Sequence, residues 1–248
     1  MIWQDFVNQL QNNAVIELNS TLTVPVGQFI YINQTNVRIV GNGTIVADCP
    51  NYALVHSGTK LVIDGIDLWN LSGGGINANQ SLRLNLRRMQ INTAAQAGIN
   101  LQLGAGAWFN DVHLNGTKNT NSIGLRAAQW DTLFSHGCLT EEHDTSIRLG
   151  MDDGNSANFF IPDWCGDRCR TGVILEPTGM ISNLKVGVLW VAGQDQGNGP
   201  GTYPLQAHNM EGAINGCVIQ HLHASDFLNK QCAIWGNFDL RILDQRHY

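Results

Sequence analysis

The residues able to do chemistry gather in the middle and second half of this 248-residue chain. Asp131, Glu142 and Asp153 are the candidate catalytic carboxylates, and the chemistry they suggest is glycoside hydrolysis in a polysaccharide depolymerase. A retaining enzyme holds two carboxylates about 5–5.5 Å apart and an inverting one about 6.5–9.5 Å apart. "EEHD" at 141–144 adds Glu141, His143 and Asp144 to the same region. The competing reading of all these acids is a set of solvated loop residues. Ring faces for stacking on sugars come from Trp164, Trp190 and Tyr203. The last lies with Asp195 and His208 in a Gly- and Pro-rich stretch, "VAGQDQGNGPGTYPLQAHN" (191–209). These five form the candidate carbohydrate-binding set; the competing role is packing against a wall or a partner subunit. "CGDRC" (165–169) suits a metal pair or a disulfide. No second Cys or His pair stands at zinc-ligand spacing, so neither metal nor cofactor is expected. The other cysteines (49, 138, 217 and 232) read as buried thiols.

What must position these residues is a repeat. Val40, Asp64, Asn85, Asn110, Ser135, Ile161, Asn183, Asn215 and Asp239 mark similar short runs at steps of 24, 21, 25, 25, 26, 22, 32 and 24. A second series, Leu54, Ile76, Ile99, Leu125, Ile147 and Val173, steps by 22, 23, 26, 22 and 26. Self-similarity at a fixed period means stacked structural units. Each unit holds runs of about 4–8 residues, too short for paired helices. With 27 glycines and 26 asparagines, the composition favours corners over helices. The reading is a parallel β-helix of about 24 residues per coil, with equivalent positions roughly 4.8 Å apart on successive coils. Ile99, Leu101, Phe109 and Val112 then face inward, and corner Asn and Asp residues stack on their own kind. The first register places Asp131 and Asp153 four residues out of phase, whereas the second makes them neighbours. The 32-residue step marks residues 191–209 as a loop insertion, the kind of place where function is grafted.

The opening "NAVIELNSTLTVPVGQFIYINQTNVRIVGNGTIVA" resembles the pectin-lyase-like right-handed parallel β-helix superfamily. The resemblance implies a single all-β domain over residues 14–248 with a capping helix within residues 1–13. Ile2, Trp3, Phe6, Val7 and Leu10 would line one side of that helix. It does not bring the family's catalytic sets. "SHGC" (135–138) precedes "MDDGN" (151–155), the reverse of the polygalacturonase order. There is no Asn-Thr-Asp upstream and no Arg-x-Lys downstream, and the Arg-x-Pro-x-x-Arg run of pectate lyases is missing. The chain is most similar in kind to bacteriophage tailspike, fibre or virion decoration proteins.

A net charge of −6 without any basic run argues against nucleic acid as a partner. No stretch reaches the roughly 18 apolar residues of a membrane span. The start, "MIWQDFVNQLQNN", lacks the basic and apolar regions of a signal peptide. "FDLRILDQRHY" ends almost with its last strand, and an open coil end invites pairing. The expectation is therefore a virion structural or adhesion protein assembled in a host cytoplasm. Its partners would be itself, as a homotrimer, other virion proteins and host-surface polysaccharide. A polysaccharide-degrading enzyme of the β-helix class is the alternative.

Overall fold

The computed structural model describes residues 1–117, 119–150, 154–195, 199–208, 212–235 and 239–248. The chain winds into a parallel β-solenoid of about nine turns, with about 24 residues per turn and one short N-terminal helix. Its strands stack as three walls. The first wall begins with Val15–Leu18, Val37–Gly41 and Leu61–Asp64. The second begins with Thr21–Thr23, Thr44–Ala47 and Asp67–Asn70. The third begins with Ile30–Ile32, Tyr52–His56 and Gly74–Asn79. Further along, single strands run round the corners. Ala97–Asn115 serves all three walls, and Met180–Gly193 continues from the first wall into the second.

The core is a set of aliphatic columns. On the third wall Ile30, Leu54, Ile76, Ile99, Leu125, Ile147, Val173 and Leu205 pair one above another, and all are buried. This is the second sequence series, extended by one coil at each end. On the first wall Ile16, Ile39, Ile63, Leu86 and Phe109 form a comparable column. Ser135 interrupts it, fully buried with no hydrogen-bond partner for its hydroxyl among the described residues. Stacking apolar side chains at strand spacing removes their surface from water at about 25 cal/mol per Å². The first sequence series is only approximately in register. Asp64 pairs with Arg87 rather than Asn85, and Asn110 pairs with His136 rather than Ser135.

Corners recur at fixed positions because the backbone must turn there with positive φ. Arg83, Gly106, Thr132, Asn158, Asn183 and Gly216 occupy one such position on successive coils. Most are Gly or Asn, the residues that tolerate this region best. The Asn183 amide donates to Asn158 (2.8 Å), Asn158 to Asp131 (2.8 Å), and Asn115 to Asn92 (3.1 Å). Polar corner residues thus satisfy one another from coil to coil.

The cap is the helix Trp3–Gln9. Phe6 is buried, and Trp3, Val7 and Leu10 pack against the core at the i, i+3, i+4, i+7 spacing of one helix face. Ile2 departs from the expectation. It is the N-cap, with extended backbone, and is 67% exposed. No helix among the described residues is long and apolar enough to cross a membrane.

Candidate functional site

Of the three candidate catalytic carboxylates, Asp131 and Glu142 are described, and they do not converge. Asp131 pairs across the coil boundary with Ala157, so its neighbour is not an acid. Leu125 pairs with Ile147, 22 residues on, but Asp131 pairs 26 residues on. Four extra residues therefore enter between Leu149 and Ser156, which puts residue 153 four positions short of Asp131's partner. Asp153 itself lies outside the described residues. Asp131 is exposed and accepts hydrogen bonds from Asn158 (2.8 Å) and Thr132 Oγ1 (3.3 Å).

Glu142 is held in an ion cluster. Arg168, one coil above it, bonds Glu142 at 2.6 Å, contacts Glu141, and lies 3.5 Å from Asp167. Arg170 clamps Asp144 with two hydrogen bonds of 2.5 and 2.9 Å. The Asp144 side chain is only 4% exposed, and a carboxylate removed from water needs such a partner. The arginines of "CGDRCR" thus pair with the acids of "EEHD". Cys165 and Cys169 are not bonded to each other. Burial pushes the Cys169 thiol up to about 12, so it packs as a protonated thiol. Between the paired acids sits His143, buried, with no described partner for either ring nitrogen. Desolvation drives its pKa down to about 3.

The candidate sugar-binding residues separate into four places. Trp164 points into the core, where its indole N–H lies 3.2 Å from both Thr140 Oγ1 and Ser146 Oγ. It offers no ring face to a ligand, and that expectation is corrected. Trp190 lies on the outer side of the second wall and is half exposed. Its indole stacks with His223 (6.0 Å, 18°) and Tyr248 (6.3 Å, 14°), and His223 stacks with Tyr248 (6.0 Å, 5°). Tyr203 and His208 belong instead to the third-wall strand Tyr203–His208. There they surround Trp235, edge-on at 6.3 Å and tilted at 4.5 Å respectively. Asp195 braces a loop, accepting the Gly199 N–H at 2.6 Å while Gly199 O accepts the Asp195 N–H at 2.8 Å. The insertion is accordingly shorter than 191–209, because residues up to Gly193 and from Tyr203 onward are strand.

Two surface features surround these residues. Beside Trp190 an apolar groove of about 370 Å³ is floored by Leu139, Cys165 and Val188. Asp163 sits at its rim, accepting the Gly137 N–H at 2.6 Å and facing His136 Nδ1 at 3.1 Å. Under the inserted loop a more polar cavity of about 410 Å³ is lined by Asp167, Arg168, Gln194, Pro200 and Asp226. His223, Tyr248 and Asp226 were not among the residues read from the sequence. His223 is visible there only once Trp190 is known to pair with it.

No protein-family model, curated protein or solved structure matches the chain, so fold and geometry alone define its class as a parallel β-solenoid.

Proposed function

We propose that the chain is a rigid adhesion element of the kind carried on bacteriophage virions as a spike, fibre or capsid decoration, and that its second wall binds carbohydrate. The carrying observation is the exposed cluster of Trp190, His223 and Tyr248, whose rings lie about 6 Å from one another beside the Leu139–Cys165–Val188 groove. Flat aromatic faces next to an apolar trough suit the C–H faces of sugar rings, with Asp163 and His136 available to hydroxyls. A continuous stack of coils supplies the stiffness that such an element needs.

A glycan array on wild type and Trp190→Ala tests the binding site. Wild-type signal lost at least tenfold in the variant supports it; equal signals overturn it. Immunogold labelling of purified particles tests the virion assignment, and particles without label would remove it. The cavity bearing Asp167 and Asp226 favours one second reading, glycan cleavage. If glycan shortens on incubation, and Asp167→Asn or Asp226→Asn stops it, the chain is a depolymerase.

A further inference from the structure

The first wall carries an aromatic row that neither the motifs nor the second-wall site uses. Trp108, Phe134 and Phe160 stand in register on three successive coils. They are 39%, 41% and 36% exposed. Lys185 follows on the next coil, its ammonium 5.7 Å from the Phe160 ring centroid. At the other end, Lys60, Arg83, Asn85 and Arg87 close with Trp108 around a concavity of about 440 Å³.

Three features make this a built surface. A Cβ at Gly106 would lie 2.8 Å from the Trp108 ring, so this glycine gives the indole room to lie against the wall. Among the described residues no carboxylate pairs with Lys60, Arg83 or Arg87, although the chain carries a net charge of −6. Asp64, the register partner of Arg87, is instead engaged by Arg88 at 2.6 and 2.8 Å. Among the described residues these cations therefore stand around one aromatic face without an ion-pair partner.

We propose that the Trp108 concavity binds a carboxylate-bearing sugar residue, with the glycan running on over Phe134 and Phe160. Arg83 and Arg87 supply planar donors suited to a carboxylate, and Trp108 supplies the ring face. The charge is concentrated at one end, and the row beyond it is uncharged until Lys185. Sparse ligand charge fits this pattern, whereas single-stranded nucleic acid, charged at every nucleotide, would want a continuous positive track. The inference rests on the carbohydrate-adhesion reading but uses a different wall.

The test is titration calorimetry with alginate oligosaccharides, the same oligosaccharides after carboxyl reduction, and oligo-dT. Wild-type binding to alginate should fall at least tenfold in Arg83→Ala/Arg87→Ala and in Trp108→Ala, fall similarly on carboxyl reduction, and survive Trp190→Ala. Thermal melts of the variants should match wild type, and Arg87→Lys should retain part of the affinity. Undiminished binding after carboxyl reduction, no effect of the arginine substitutions, absence of binding, or tighter binding of oligo-dT would each overturn the proposal. If the Trp190 wall binds a neutral glycan while the Trp108 wall binds nothing, this inference fails and the adhesion reading stands. Acidic-glycan binding at Trp108 with no glycan held at Trp190 leaves this inference standing and removes the second-wall site.

Discussion

Acid should destabilise this solenoid through His143. The ring is buried at the coil wall, where Gly116 leaves so little room that a Cβ there would fall 2.9 Å from the imidazole. Neither ring nitrogen has a described partner, and desolvation lowers the pKa from 6.5 to about 3. The unfolded chain then binds a proton as pH drops below 6.5, while the folded chain does not until near pH 3. Unfolding is favoured progressively across that window, and the stability present at pH 8 is lost toward acid. At pH 5 the unfolded histidine is almost wholly protonated and the folded one almost wholly neutral. With 1.36 kcal/mol per pK unit, the loss between pH 8 and pH 5 is about 2 kcal/mol from this residue. His56 adds in the same direction, because burial lowers its pKa to about 4. The assay is urea unfolding at pH 8 and pH 5, followed by tryptophan fluorescence, on wild type and His143→Phe. The variant removes the titrating group at similar volume, and its acid loss should be smaller by about 2 kcal/mol. An acid loss equal to that of wild type would refute the buried, neutral imidazole.

Three further outcomes follow from packing. Ser135→Ala should raise stability by about 1 kcal/mol in the same assay, because it removes from an apolar column a buried hydroxyl that has no partner among the described residues; a loss would show that the hydroxyl is satisfied. Arg170→Ala strands the Asp144 carboxylate and should cost about 2–3 kcal/mol, with Arg170→Ala/Asp144→Asn recovering part of it; additive costs would contradict the pairing. Gly73→Ala places a Cβ 2.0 Å from the Asn51 carbonyl oxygen and 2.4 Å from that of Cys49. Both obstacles are backbone, so a destabilisation of about 3 kcal/mol is expected by thermal melt.

The third-wall column was legible residue by residue because its inward aliphatic positions have one dominant constraint, burial, and recur once per coil. The first series slipped by one or two residues because its marks mix outward strand positions, such as Asn85 and Asn110, with the buried Ser135 and Ile161. That slip matters for the site: a strand reverses faces with each residue, so outward and inward residues cannot be separated without the register. Trp164 and Trp190 look alike in sequence, yet Trp164 pairs with Cys138 and Leu189 inside, and Trp190 with Cys165 and His223 outside. Trp108, Phe134 and Phe160 were passed over for the same reason. Their spacing of 26 and 26 matches the coil length, but exposed aromatics read as core until the column is placed. The ion pairs of Arg168 and Arg170 with the acids of "EEHD" were hidden by distance in sequence, since each reaches acids 26 or 27 residues earlier.

The most direct measurement of the wall-binding account is a crystal structure of the full chain soaked with an oligosaccharide selected by the glycan array. Intact sugar rings lying flat on the Trp190, His223 and Tyr248 faces are the predicted result. A cleaved product lodged between Asp167 and Asp226, or sugar density confined to sites away from every aromatic wall, would contradict it.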